Sequence, residues 1–328
     1  MIMMITLFIT PALCFMSNSW IMIWVMLEMN TLAFCSLMKH SSKKQFTKMM
    51  EMSMKYFIIQ SISSIVLLAM MLFSKETQYF PVFLLMGMLA LMIKIAASPF
   101  HQWFVNVTKN SSWMNSLLLM TWQKLAPLFL LLFQIKTLII PFILLSISMG
   151  AILQYNKMNC LEILALSSVF NLGWMLLGIF LSMKCFISFT LLYWVSVIFV
   201  VKSLMLLQQK SIKTENTNSK KKWVLLAVMA NLAGIPPLTG FLAKWIIFSE
   251  SLKNSMIALI TFMLTMSSLN FYIYLRFMSS QLLKTNMNTN TNISKKAFLP
   301  YLLFSTANLF PLIVFPYLGN AWIKGLFW

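Results

Sequence analysis

The sequence predicts an all-α polytopic membrane protein with about 11 transmembrane helices. Three observations carry that expectation. Of its 328 residues 60% are hydrophobic and only 9% are charged, far below the charge of a soluble domain. Uncharged runs cover 1–27, 56–74, 137–156, 163–183, 223–243, 254–275 and 297–323, each of about 20 residues or more, enough to cross a hydrocarbon core. Finally, the lysines collect in the short segments between these runs.

Taken in order, the spans read 3–17, 20–38, 56–73, 80–99, 113–135, 138–154, 161–181, 186–208, 223–248, 255–278 and 298–318. "SNS" at 17–19 is the tight turn between the first two. The span 113–135 is interrupted by Lys124 and otherwise unbroken. The polar stretches "QQKSIKTENTNSKKK" and "LLKTNMNTNTNISKK" read as surface loops rich in Asn, Thr, Ser and Lys. Residues 1–328 form a single membrane domain.

With 11 spans, alternate loops face one side and carry 15 lysines, from Lys39 to Lys296; the opposite loops carry five, Lys75, Lys136, Lys184, Lys253 and Lys324. The positive-inside rule puts the N-terminus on the lysine-rich side. "MIMMITLFITPALCFM" has no basic n-region and no small-residue cleavage site, so it reads as the first helix rather than a removed signal.

Composition also narrows the function. The net charge of +19 belongs to membrane orientation, because no basic segment interleaved with aromatics offers a nucleic-acid platform. Cys14, Cys35, Cys160 and Cys185 form no C-x-x-C pair, which points to packing rather than a metal or iron–sulfur site. No nucleotide-binding glycine pattern occurs, so redox or nucleotide chemistry belongs to another chain.

Charges stand where a membrane helix should have none. Lys202 and Arg276 lie near span ends and can snorkel to the headgroups. Lys94, Lys124 and Lys244 lie further in, and Glu28 is about halfway along the second span. Each buried charge costs roughly 2.5–3.5 kcal/mol on insertion scales. Fixed ion pairs would be the structural explanation, but one acid cannot neutralise three lysines. A hydrated polar path is the alternative: burial disfavours an ammonium and a nearby carboxylate favours it, and a lysine balanced between the two can pass a proton.

Helix breakers lie beside two of these lysines. Pro99 follows Lys94, and "NLAGIPPLTGFLAKW" places Gly234, Pro236, Pro237 and Gly240 ahead of Lys244. Broken backbone at membrane depth is tolerated only where protein or water satisfies the freed groups, and interrupted spans mark transport sites. The fourth and ninth spans cross in opposite directions, as inverted repeats of five helices require. Those repeats cover approximately 20–154 and 161–318, each with one discontinuous helix. His101, just past Pro99, reads either as a relay member or as a brace for the broken turn. His40 reads as surface, Glu162 as an interfacial group near Lys157, and Glu250 as a group at the opposite mouth of a path through Lys244.

"EMNTLAF" at 28–34, "KIAASPFHQWF" at 94–104, "TWQKLAP" at 121–127, "SSVFNLGWM" at 167–175 and "NLAGIPPLTGFLAKW" at 231–245 resemble, in order and spacing, one family. It is the antiporter-like proton-translocating subunits of respiratory complex I, NADH:ubiquinone oxidoreductase, in the mitochondrial chain 2 branch. The resemblance spans almost the whole chain. It implies inverted five-helix repeats in a shortened 11-span form, located in the mitochondrial inner membrane with the basic loops on the matrix side. It implies that Glu28 pairs with Lys94 and that Lys124 and Lys244 continue a polar axis for protons. It also implies no cofactor and no metal in this chain, with NADH, FMN, iron–sulfur clusters and ubiquinone held by partner subunits. The expected partners are other membrane-arm subunits and lipids, cardiolipin among them, and no nucleic acid. Three positions depart from the family pattern: Val105 and Asn106 replace a common Pro-Glu pair, Asn171 a common histidine, and Glu162 a basic residue. A stand-alone cation/proton antiporter and a purely structural spacer are the alternative readings.

Overall fold

Helices account for the regular structure throughout a computed structural model that describes residues 2–40, 46–73, 80–134, 136–207, 229–235 and 238–282. They are α1 (Ile2–Met16), α2 (Trp20–His40), α3 (Phe46–Phe73), α4 (Phe80–Ile95), α5 (Gln102–Asn110), α6 (Trp113–Met120), α7 (Leu125–Leu131), α8 (Ile140–Tyr155), α9 (Cys160–Leu181), α10 (Met183–Leu207), α11 (Thr239–Lys253) and α12 (Ile257–Leu282). A short helical segment at 229–233 precedes α11. Among the described residues, six helical stretches are long and apolar enough to cross a membrane, and Met3–Met16 and Val82–Ile95 are shorter apolar helices. The expected eleventh span at 298–318, the side chain of His40, Pro236 and Pro237 lie outside the described residues.

Proline placement shows why several helices start where they do. Pro81, Pro127 and Pro141 all sit in the first turn of a helix, where the missing N–H was an orphan in any case. Between α1 and α2 the Ser17 hydroxyl donates to the Cys14 carbonyl (3.0 Å), closing the turn that "SNS" announced.

Two compact units divide the described residues. One is built from residues up to 150 together with 161–173; the other from 151–160 and residues from 174 onward. In the first, α2 packs on α1 and α3, α3 on α4 and α5, and α7 on α1 and α4. Leu27, Phe34, Met38, Met88 and Leu91 fill its core. Here α9 presses on α8 so closely that a Cβ on Gly150 would lie 2.8 Å from the Phe170 backbone nitrogen. In the second, α11 packs between α10 and α12. All four cysteines are buried and free, as expected of packing residues.

The structure corrects one span. Residues 113–135 are not one helix: α6 ends at Met120, a 3₁₀ turn covers Trp122–Lys124, and α7 begins at Leu125. Pro127 is the cause, because its ring would clash with the carbonyl one turn back if the helix ran through. The described residues therefore contain three broken spans where the sequence announced two. The additional helix α5 also occupies a stretch read only as connection.

Candidate functional site

The first break follows Lys94. Ala96 adopts a left-handed conformation (φ 59°), its N–H reaches the Ile93 carbonyl (3.1 Å) and the Ala97 N–H reaches that of Met92 (3.0 Å). This is a Schellman ending; it satisfies the Met92 and Ile93 carbonyls and leaves that of Lys94 without a helical partner. Two side chains complete the ending, one at the freed carbonyl and one as a second donor at Ile93. Gln60 Nε2 donates to the Lys94 carbonyl (3.3 Å), and Trp103 Nε1 donates to that of Ile93 (3.2 Å).

Lys94 itself is 5% exposed, and its Nζ makes no hydrogen bond among the described residues; the same holds for Glu28 Oε2. Glu28 and Cys14 are the groups in electrostatic range of the ammonium. Glu28 and Lys94, expected to pair, are within electrostatic range of each other but form no ion pair within 4.0 Å among the described residues. His101 is 3% exposed and stands at the N-terminus of α5, with Nδ1 unpartnered and the Pro99 backbone as its polar neighbour. No hydrogen bond joins it to Lys94 among the described residues.

Lys124 sits at the end of the 3₁₀ turn. Its Nζ donates to the Ser168 hydroxyl (3.2 Å) and carbonyl (3.3 Å) on α9, and it lies 4.7 Å from the Phe104 ring centroid. Beside it, Gln123 forms a reciprocal amide pair with Asn30, Nδ2 to Oε1 at 3.0 Å and Nε2 to Oδ1 at 3.4 Å. The Tyr56 hydroxyl donates to the same Gln123 Oε1 (3.2 Å), and Trp122 Nε1 anchors the turn to the Leu7 carbonyl (2.8 Å). A small cavity touches Lys94, Lys124, Tyr56, Gln60 and Gln123 together, with room for roughly one water molecule. The structure thus brings Lys94 and Lys124, thirty positions apart in sequence, to one polar space.

Lys244 belongs to the second unit. There the segment 229–233 ends in the same way as α4: Gly234 has φ 85°, its N–H reaches the Asn231 carbonyl (3.1 Å), and the Ile235 N–H reaches that of Ala230 (3.3 Å). Lys244 Nζ donates to the freed Ala233 carbonyl (3.3 Å), so a cation sits at the negative end of the short helix. Asn231 Oδ1 accepts from the Gly240 N–H (2.8 Å) and the Thr239 hydroxyl (3.0 Å), and so caps α11 from across the break. Gly240 is obligatory there, because a Cβ would lie 1.9 Å from the Asn231 carbonyl oxygen. A cavity of about 420 Å³ between α11 and α12 has Lys244 in its wall beside Phe241, Trp245, Phe248, Leu264 and Phe271.

The chain is matched by the family model for the membrane part of NADH:quinone oxidoreductase and Mrp antiporters over residues 17–270. It belongs to that family. Among its relatives, NADH-ubiquinone oxidoreductase chain 2 of Oryctolagus cuniculus is 32% identical over 318 residues, 90% of this chain and 88% of the rabbit protein. The chain 2 protein of Locusta migratoria is 31% identical over 280 residues, 81% of this chain and 80% of its own length. A chain of respiratory complex I from Thermus thermophilus shares the fold with a TM-score of 0.75 at 20% identity, covering 92% of this chain and 75% of that one.

Several outlying positions look different in the structure. Glu162, expected near Lys157, is buried and forms an ion pair with Lys109 (2.9 Å), the half-exposed last basic residue of α5. Glu250 pairs with Lys253 (3.3 Å). Arg276 does more than snorkel: its guanidinium donates to the Tyr155 carbonyl (3.2 Å) at the end of α8 and lies over the Tyr155 ring, while Lys202 is exposed. Asn171 Nδ2 donates to the Ser167 carbonyl within α9. Sequence reasoning passed over Tyr56, Gln60 and Gln123. Their signal is faint: Tyr56 and Gln60 stand four apart, hence on one face of an otherwise apolar helix.

Proposed function

We propose that this chain is the proton-translocating chain 2 of a mitochondrial NADH:ubiquinone oxidoreductase, a multi-pass subunit of the inner membrane with its basic loops toward the matrix. Glu28, Lys94, Lys124 and Lys244 form the relay, and His101 braces the turn after Pro99. The subunit carries no cofactor; NADH, FMN, iron–sulfur clusters and ubiquinone belong to neighbouring chains, and the membrane faces meet other membrane-arm subunits and lipids, cardiolipin among them. Quinone reduction elsewhere changes the charge balance of the Glu28–Lys94 pair. A proton then moves to Lys124 and onward to Lys244.

One observation carries the reading. Lys94 and Lys124 stand at two separate helix breaks and line one cavity. Breaks at membrane depth are tolerated only where protein or water satisfies the freed backbone groups, and ionisable groups there cost too much to be ornamental. The orphaned Lys94 Nζ and Glu28 Oε2 suit a pair that exchanges a proton better than one that only ties helices together.

The test is the assembled complex reconstituted in vesicles with Lys124→Met, a near-isosteric loss of the ammonium. Proton pumping should be abolished or cut severalfold, while quinone reduction in the presence of an ionophore continues. Full assembly with an unchanged pumping ratio would remove Lys124 from the relay.

A further inference from the structure

Tyr56 and Gln60 stand one turn apart on α3, and each reaches a different helix break. Gln60 holds the carbonyl that the end of α4 frees at Lys94 (3.3 Å). Tyr56, 1% exposed, holds Gln123 in the turn that carries Lys124 (3.2 Å). Gln123 is also held by Asn30, two residues from Glu28 on α2, at the same Oε1 and through its own amide group. All three side chains line the cavity that Lys94 and Lys124 share.

We infer that Tyr56, Gln60 and Gln123 form a polar strut that fixes the Lys94 turn and the Lys124 turn in one register, so that a proton can cross between the two lysines. They are positioning residues: none has a hydrogen bond to either ammonium among the described residues. The physical reason is that a broken helix has no ladder of its own to fix its next turn. A continuous helix, α3, supplies the missing rigidity at two points along one face. The link to Asn30 also ties the strut to the helix of Glu28, so a shift of that helix reaches the Lys124 turn through one amide pair.

The inference rests on the relay proposed above, and the experiment separates the two. Assembled complex with Tyr56→Phe, with Gln123→Leu and with Lys124→Met is reconstituted, and pumped protons per electron are measured per assembled complex. Tyr56→Phe deletes one hydroxyl and should pump roughly two- to tenfold less per electron, the span that one lost hydrogen bond covers. Gln123→Leu, which strands both Asn30 and Tyr56, should lose more. A strut that only stabilised the fold would reduce the amount of complex assembled and leave the ratio untouched, and that result overturns the inference. If Gln123→Leu does not assemble, Tyr56→Phe decides alone. A blocked Lys124→Met beside a normal Tyr56→Phe refutes the strut and spares the relay; a normal Lys124→Met removes Lys124 from the relay and, with it, the crossing the strut would serve.

Discussion

Gly150→Ala should destabilise this chain even though alanine is the better helix former. In open helix the exchange would gain about 0.8–1.0 kcal/mol. Here the new Cβ would stand 2.8 Å from the nitrogen, 2.9 Å from the Cα and 3.0 Å from the Cβ of Phe170 on α9. Restoring ordinary contact needs a shift of roughly 0.4–0.6 Å, and rigid backbone cannot swing aside, so overpacking costs about 2–3 kcal/mol. The net loss is then about 1–2 kcal/mol. The displacement has a functional address, because Ser168 lies two residues before Phe170 and holds Lys124 at 3.2 Å. A shift of about half an ångström takes that contact to the limit of a hydrogen bond. Gly87→Ala is the control. Its Cβ would lie closer still, 2.5 Å, but to the terminal Cε of Met70, a side chain with three rotatable bonds. Thermal denaturation of the purified assembled complex, with pumping per electron measured on the same samples, compares the two. Gly150→Ala should melt earlier and pump less, and Gly87→Ala should be neutral or better. The reasoning fails if Gly150→Ala matches the wild type or if the order is reversed.

Two further outcomes follow from the breaks. Trp103→Phe keeps the ring and deletes the second donor to the Ile93 carbonyl, which keeps the Ala96 N–H, so it should cost about 0.5–1.5 kcal/mol and speed amide exchange at residues 93–97, read by hydrogen-exchange mass spectrometry. Asn231→Ala removes the distant cap of α11 and should cost roughly 1–2 kcal/mol, with faster exchange confined to the first turn after Thr239; uniform exchange across α11 would contradict that role.

Much of the architecture is legible in the chain because a membrane helix must satisfy its own backbone and be apolar over its full length. The bounds of α1, α2, α9 and α12 lie within a few residues of the spans read at 3–17, 20–38, 161–181 and 255–278 for that reason. The breaks after Lys94 and before Lys244 are legible through Pro99 and Gly234. The break at Lys124 was harder to see: its proline lies three residues downstream, and proline disturbs the turn that precedes it, where the sequence looks unremarkable.

By itself the sequence determines which residues carry charge at membrane depth, and it names Glu28, Lys94, Lys124 and Lys244, because apolar surroundings make each one conspicuous. It cannot say which polar neighbours complete the site. Tyr56, Gln60 and Gln123 are ordinary residues whose meaning depends on facing a freed carbonyl or a shared cavity. Nor could it say that Glu28 and Lys94 stand apart while Glu162 finds Lys109, since residue type gives the sign of an interaction and only packing gives its distance. Tertiary structure alone decided those partnerships: hydrogen bonds and ion pairs act over a few ångströms, and the chain brings such groups together from positions 93 apart, as it does for Asn30 and Gln123.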